Sequence, residues 1–462
     1  MAVPRTIPRA GHPISRGYID PDALRILYRL QRSGFKAYLV GGSVRDLMTG
    51  RTPKDFDIGT DAKPQEIRRL FRNSRIIGRR FRLVHVFFDG GKLVEVSTFR
   101  RRPGLTDAEA GEPGEADLLI REDNTFGTPE EDAVRRDFTV NGLFYDIGTF
   151  AVLDYVGGVD DLEARTIRTI GDPEIRFRED PVRMLRACEF AARLDFRMEP
   201  GVVEAIDELR SEIRKSAAPR VAEELLDPLR RGWGAETYRL WSKTGLLGVI
   251  LPELDREIEG GSASPERESF WRMLAEADRR RGAGEILPEA SLLGTLFLPM
   301  IFGAVRHERA KIDASRLVLV LEKAVNPIAA RLSLPNHAVH LLKHALATLG
   351  RLAETRPTDA GARRIVTKAW FPASLALLSL YASASGRYEG AVAEWNEVLS
   401  RAGKKIHAGE DLSHAAPFPE ALVPPPALLS RHEIPLPTSQ KKSGGRKRGR
   451  RRGGRRPAGA VS

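Results

Sequence analysis

Leu39-Val-Gly-Gly-Ser-Val-Arg-Asp46, followed nine residues after its last aspartate by Asp55-Phe-Asp57, is the stretch on which the fold of this chain turns. Ala37-Tyr-Leu-Val40 is an apolar run of strand length, and Gly41-Gly42 ends it in a sharp turn. Ser43 is placed to cap a helix that closes near Gly50. Further on, Phe56 and Ile58 alternate with Asp55 and Asp57, which predicts a strand with one apolar and one acidic face. Residues two apart on a strand share a face, so both carboxylates aim at one spot, where their repulsion invites a hard cation. Magnesium takes oxygen ligands and is commonly shared between one or two carboxylates and substrate phosphates. Gly41-Gly42 lets backbone approach a triphosphate with no Cβ in the way and sets amide N–H groups at a helix start. Arg45, one turn in, is placed to add charge-assisted hydrogen bonds to phosphate or ribose. Alone, Asp-x-Asp reads as a solvated strand face and Gly-Gly as a plain turn. Their order and spacing carry the argument.

Upstream, Asp20-Pro21 supplies an N-cap and first-turn pair for a helix in which Leu24, Leu27, Tyr28 and Leu30 recur, and Gly34 stops it. Downstream, a helix over Pro64–Phe71 precedes strands over Arg82–Phe88 and Leu93–Thr98. Short strands and helices mixed at this spacing predict a small sheet domain. Residues 103–128 are rich in Gly, Pro, Asp and Glu and read as a mobile loop. From about Asp160 to about Ala402 the pattern is almost wholly helical; then prolines and a Gly/Arg/Lys run follow, in which no core can form. The expected fold class is α+β: a mixed-sheet head, an all-α neck and body, and a disordered basic tail. The expected divisions are a flexible arm (1–20), head (21–150), neck (151–232), body (233–405) and tail (406–462).

Length, 462 residues, excludes a single ordinary domain, and 42% hydrophobic with 29% charged residues fits a soluble globular protein. The net charge of +12 is a property of the tail. Lys441, Lys442, Arg446, Lys447, Arg448, Arg450, Arg451, Arg452, Arg455 and Arg456 contribute ten charges with no acid among them, which leaves 12 − 10 = +2 for the remainder. One cysteine, Cys188, excludes an intramolecular disulfide and reads as a small core hydrophobe. His85, between apolar strand residues, reads as packing. The N-terminus has no apolar signal region, and Ser291–Val305 is too short to span a bilayer and contains Pro299, so it is expected as a buried core helix. These features predict a cytoplasmic, membrane-free, monomeric protein.

Val40-Gly-Gly-Ser-Val-Arg-Asp46 with Asp55-Phe-Asp57 resembles the head signature of the class II nucleotidyltransferases, the bacterial poly(A) polymerases and CCA-adding tRNA nucleotidyltransferases. The resemblance continues through Arg135-Arg-Asp-Phe-Thr-Val-Asn141, Asp154-Tyr-Val-Gly-Gly-Val-Asp-Asp-Leu162 and Arg178-Glu-Asp-Pro-Val-Arg-Met-Leu-Arg186. It implies two magnesium ions on Asp55 and Asp57, a third active-site carboxylate in Asp137, and Arg136 near the nucleotide. It also implies that Asp180 and Arg183 present a base-like edge to incoming ATP in place of a template. On the residues alone other readings stand. Asp180-Pro181 also suits an N-cap pair for a helix to about Leu194, and Arg135, Arg136 and Asp137 suit a surface ion-pair cluster.

Three features favour the poly(A) branch. Ile76-Ile-Gly-Arg-Arg-Phe-Arg-Leu-Val-His-Val86 resembles a stretch diagnostic of bacterial poly(A) polymerases. A flexible polycation binds phosphates without reading sequence, which suits an enzyme that must accept many RNA 3′ ends, though such a tail also serves ribosomes, proteins or solubility. No His-Asp dipeptide occurs, against the CCA-enzyme subtype with a metal-dependent phosphohydrolase domain. The expected activity is addition of AMP from ATP to the 3′ ends of mRNA, small RNA or tRNA, marking them for decay, with RNA-decay proteins as partners. A CCA-, CC- or A-adding enzyme and a non-catalytic RNA-binding protein remain the alternatives.

Overall fold

The computed structural model of the chain describes residues 4–78, 82–101, 125–259, 265–307, 314–354, 357 and 364–402. Most of the 103–128 loop, Arg79 to Phe81 of the Ile76–Val86 stretch, and the whole basic tail lie outside the described residues.

The head is one eight-stranded sheet: β1 (Arg5–Ile7), β2 (Ala37–Val40), β3 (Ile58–Thr60), β4 (Ser74–Ile77), β5 (Leu83–Phe87), β6 (Leu93–Thr98), β7 (Leu143–Asp146) and β8 (Ala151–Asp154). Their order is β1-β8-β7-β2-β3-β6-β5-β4. Every pair is antiparallel except β3 with β6, which makes the sheet mixed, as expected. Period-two alternation fixes its faces: Val84, Val86, Val94 and Val96 point into the core while His85, Glu95 and Ser97 do not. Helix α1 (Pro21–Arg32) starts where the Asp20 carboxylate accepts from the amides of Asp22 and Ala23, and buries Ala23, Ile26, Leu27 and Leu30 against β2 and β3. Helices α2 (Gly42–Met48) and α3 (Pro64–Leu70) complete the front of the head.

Three local expectations are corrected. The strand predicted to carry Asp55 and Asp57 begins only at Ile58, although the Val40 amide still donates to the Asp57 carbonyl at 3.0 Å. Leu39 pairs with Ile58, so β2 turns away at Gly41 just where residues 55 and 56 would need a ladder partner. Ser43 does not cap α2; the cap is Gly41, and the Ser43 hydroxyl donates to the Val40 carbonyl instead. The sheet also overruns the expected head bounds. Arg5–Ile7, expected in a flexible arm, forms the edge strand against β8, itself beyond residue 150.

After α4 (Pro129–Arg135) and α5 (Gly158–Glu163), the neck comprises α6 (Pro173–Glu179), α7 (Val182–Leu194), α8 (Pro200–Leu209) and α9 (Ala218–Arg231), with a two-stranded parallel ladder between Thr166–Ile167 and Arg197–Met198. Among the described residues between Gly234 and Ala402 the body is almost wholly helical. The span Glu289–Arg306 is long and apolar enough to cross a membrane, and 83% of it is buried inside the helical body, where it packs on Asn336–Glu354 and Phe371–Ser385. The helix is thus longer than the expected Ser291–Val305, which corrects the reading that it is too short to span a bilayer, while its burial agrees with its reading as a core helix. One continuous apolar core runs from Ile7 to Trp395, and a second, small cluster of Val40, Phe99, Ala133 and Phe144 lies on the other face of the sheet.

Candidate active site

An open cavity of about 510 Å³ lies between head and neck, walled by α2, the Asp55–Asp57 segment, β6, the Arg135–Asn141 segment and the helices α7 and α9. Every head and neck residue expected in the site lines it: Gly41, Gly42, Arg45, Asp55, Asp57, Arg136, Asp137, Asp180 and Arg183.

The turn into α2 explains the first glycine. Gly41 has φ +68° and ψ −129°, a conformation that side-chain-bearing residues avoid, and a Cβ there would come within 2.7 Å of Arg136 Nη1. At Gly42 the nearest protein atom to such a Cβ is 3.5 Å away, so the protein itself leaves that position room. Arg136 is held by Asp132, which accepts from its Nε at 3.2 Å and Nη2 at 2.9 Å, and its guanidinium lies over Phe144. Asp132 is buried and also holds Arg135, so these half-buried arginines are anchored on a buried carboxylate rather than forming the surface ion-pair cluster that was the alternative.

Asp57 is pushed up to about 6: burial is the main cause, the Glu95 charge adds to it, Arg136 opposes it, and Asp55 adds a little more. Glu95 was not expected in the site. It lies on β6 beside β3, on the cavity side of the alternation, and is itself raised by burial, with Arg100 opposing and Asp55 adding. His85 sits across from it at 3.6 Å, on the neighbouring strand.

Asp137, expected as the third carboxylate, has both oxygens committed. Its Oδ1 accepts from the Phe138 amide at 2.8 Å and from Asn141 Nδ2 at 3.0 Å; its Oδ2 accepts from Arg186 Nε at 3.0 Å and Nη2 at 2.7 Å. Burial would raise this carboxyl, but Arg186 and these donors hold it at about 2. The carboxylate that shares the field of Asp55 and Asp57 is therefore Glu95.

Arg45 is likewise committed, against the expectation that it is free for phosphate. It is 1% exposed; Nε donates to Asp46 at 2.9 Å and Nη1 to Asn141 Oδ1 at 2.6 Å, with its guanidinium over the Phe190 ring. Burial lowers its pKa, and Asp46 opposes that. Asp46 in turn accepts from Arg193 Nη2 at 3.1 Å. A polar chain thus leaves α7 at Arg186, passes through Asp137, Asn141, Arg45 and Asp46, and returns to α7 at Arg193. Phe190 sits between the two anchors, with Phe138 packed edge-on against it.

At the neck end, Asp180 does not cap α7, whose N-cap is Pro181; it terminates α6 with extended backbone. The Asp-Pro pair misleads because Pro181 is already helical, at φ −60° and ψ −22°. The Asp180 carboxylate is gripped by Arg220 of α9, Nη1 to Oδ1 and Nη2 to Oδ2, both 2.8 Å. Arg183, 8% exposed, donates through Nη1 to the Arg176 carbonyl at 3.1 Å and to Glu179 at 3.0 Å. Asp180 and Arg183 thus border one cavity without pairing to each other. Cys188 is buried, as expected, and its thiol is pushed up to about 12 by burial.

A family model described as "Poly A polymerase head domain" matches residues 37–168, and one described as "Probable RNA and SrmB- binding site of polymerase A" matches 195–258. The fold is also that of the CCA-adding enzyme of Thermotoga maritima complexed with tRNA, with a TM-score of 0.52 at 20% identity over 89% of this chain and 92% of that one. The head sheet and the helical neck facing it across a cavity are thus the architecture of the nucleotidyltransferases. Among curated relatives, "Poly(A) polymerase I" of Salmonella typhi is 43% identical over 333 residues, 70% of this chain and 71% of that protein. The protein of the same name from Escherichia coli O6:H1 is 46% identical over 276 residues, 59% of each, so the chain spans about three fifths of that relative's length. The chain belongs to the poly(A) polymerase family.

Proposed function

We propose that the protein adds AMP from ATP to RNA 3′ ends without a template, releasing pyrophosphate. The observation that carries the reading is the acidic pair Asp55 and Asp57, with Glu95 beside it, at one side of a cavity whose neck side holds the Asp180 and Arg183 edge. Among the described residues no cluster of three or more His, Cys, Asp or Glu is drawn together closely enough to hold a metal by itself. Two carboxylates plus substrate phosphates are nevertheless the usual magnesium donor set, and an Asp57 raised to about 6 chiefly by burial, with the Glu95 and Asp55 charges adding, is a group that a divalent cation would relieve. Asp55 and Asp57 are the residues that would hold magnesium. The ions, when bound, would supply charge neutralisation at the triphosphate and at the attacking and leaving oxygens.

The residues do the rest by position. The RNA 3′-oxygen attacks the α-phosphorus, its proton passes to solvent, and the bond to the bridging oxygen of the β-phosphate breaks. Gly42 admits the triphosphate beside the backbone of α2, and Arg136 places a fixed positive charge next to Asp57. The Asp180 carboxylate accepts from the adenine exocyclic amine while Arg183 donates to the adjacent ring nitrogen. Asp137 and Arg45 hold head and neck in register, and the basic tail carries generic RNA. RNA-decay proteins are the expected partners.

The test supplies each nucleotide separately, with magnesium, to purified protein on a generic RNA and on a tRNA lacking its last three nucleotides. Long A-tracts on the generic RNA support the reading; a halt after three or fewer additions on tRNA alone supports CCA, CC or A addition. Asp55→Ala should abolish transfer and retain RNA binding, and a transfer-competent variant would refute the assignment.

A further inference from the structure

We propose that Arg220 is the residue that sets base selection, by fixing the orientation of the Asp180 carboxylate. The inference rests on the reading that the cavity takes a nucleoside triphosphate, and it deepens that reading.

Asp180 sits at the junction of α6 and α7, with φ −151° and ψ 90°. Its side chain makes no capping bond to α7, so nothing on its own elements holds it. The restraint comes from forty residues further along the chain, where α9 brings the Arg220 guanidinium end-on to the carboxylate, one nitrogen to each oxygen at 2.8 Å. This two-point geometry fixes the plane of the carboxylate as well as its position, which a single hydrogen bond does not do. Arg220 is placed in turn by opposing charges: Glu224, four residues along α9, attracts it and Arg186 repels it.

A carboxylate offers about four lone-pair sites, and the Arg220 fork takes two. The remaining ones are left for a donor within the cavity that Asp180 lines. Adenine and cytosine both present an exocyclic amine beside a ring nitrogen, so an acceptor next to the Arg183 donor suits either base if it is free to move. The two differ in reach: a purine carries its amine farther from the sugar than a pyrimidine does. With the triphosphate anchored at the acidic side, a carboxylate held in one plane and place accepts only one of those distances. Released from Arg220, Asp180 turns about its side-chain torsions and follows the shorter base too. Arg220 is therefore a positioning residue that acts through Asp180.

The experiment compares full-length wild type with Arg220→Ala and Arg220→Lys. Equilibrium binding of ATP and of CTP is measured in magnesium without RNA, followed by kcat/KM for AMP and CMP incorporation into a generic RNA. Wild type should prefer ATP. Arg220→Ala should narrow that preference on the order of tenfold, mostly through KM, and Arg220→Lys should fall between, because an ammonium restores charge without the fork. A residue that merely braces the neck would weaken both nucleotides together and leave the ratio alone. An unchanged ATP-to-CTP ratio in Arg220→Ala overturns the proposal, and if melting shows that this variant does not fold, an unchanged ratio in Arg220→Lys does so. A wild type that binds ATP but adds no AMP refutes the proposed function, while the binding ratio still decides the role of Arg220.

Discussion

Replacing Asp57 with Asn should make the protein more stable and inactive at once, and the gain should depend on pH. The folded state raises this carboxyl from an ordinary 3.8 to about 6. Between those values the folded protein holds a proton that the unfolded chain has released, so stability falls as pH rises through the window. The cost is absent below about pH 4 and complete above about pH 6. At about 1.4 kcal/mol per pKa unit the full value is about 3 kcal/mol, and partial exposure of the side chain reduces it to roughly 1–2 kcal/mol. Asn keeps the shape and removes the charge. Thermal melting in chelator should therefore place Asp57→Asn roughly 2–4 °C above wild type at pH 7.5 and level with it at pH 4. Magnesium should raise the melting point of wild type at pH 7.5 and leave the variant nearly unmoved. A variant that melts at or below wild type at pH 7.5, or whose advantage persists at pH 4, would refute the argument that the cost of a buried carboxylate charge, increased by Glu95, is stored at this position.

Three further outcomes are expected, two from the site and one from the basic tail. Gly41→Ala should cost roughly 1–3 kcal/mol through its backbone conformation and the Arg136 contact, whereas Gly42→Ala should melt at or slightly above wild type yet bind ATP more weakly; equal behaviour of the two would refute the distinction. Arg186→Met should destabilise by roughly 2–4 kcal/mol, less than a fully buried pair because Arg186 is about one-third exposed, and adding Asp137→Asn should recover part of the loss in denaturant titrations. Because Asp137 is depressed to about 2, its stabilisation is present above the ordinary carboxylate range and disappears from about pH 4 to pH 2, so the Arg186→Met deficit should shrink in acid. Deleting Lys441–Ser462 removes ten cations and should flatten the salt dependence of generic RNA binding while turnover at saturating RNA persists; identical RNA affinity of both forms at low and high salt would assign the tail to something else.

The features legible in advance were those whose signal is local. Gly41-Gly42, the Asp20 cap of α1 and the apolar helix around Leu296 are each announced within a few residues of themselves. Glu95 was readable too, since Val94-Glu-Val-Ser97 alternates and places it on the face opposite the core, but a single acid in a strand carries no label of its own. Arg220 had no local signal at all: its meaning comes from α9 packing across the neck to meet a residue forty positions earlier. Arg45 and Asp137 line the cavity, but their partners Asp46, Asn141 and Arg186 were not announced by the sequence, because a buried arginine or aspartate acquires its partners only when separate segments converge. The terminal strand Arg5–Ile7 is three residues long and owes its conformation to β8, so propensity could not announce it.

The two head-facing anchors of α7, Arg186 and Arg193, are seven residues apart. At 1.5 Å per residue that is about 10 Å and nearly two full turns, which brings both side chains to the same face. The helix therefore serves as a gauge block whose length is set by backbone geometry, with Asp137 referenced to one end and Asp46 to the other, and with Asp180 and Arg183, the proposed base-reading residues, at its start. A single inserted residue between the anchors would swing one of them about 100° out of line. This interval should accept substitutions of shape and even of charge more readily than any change in its length.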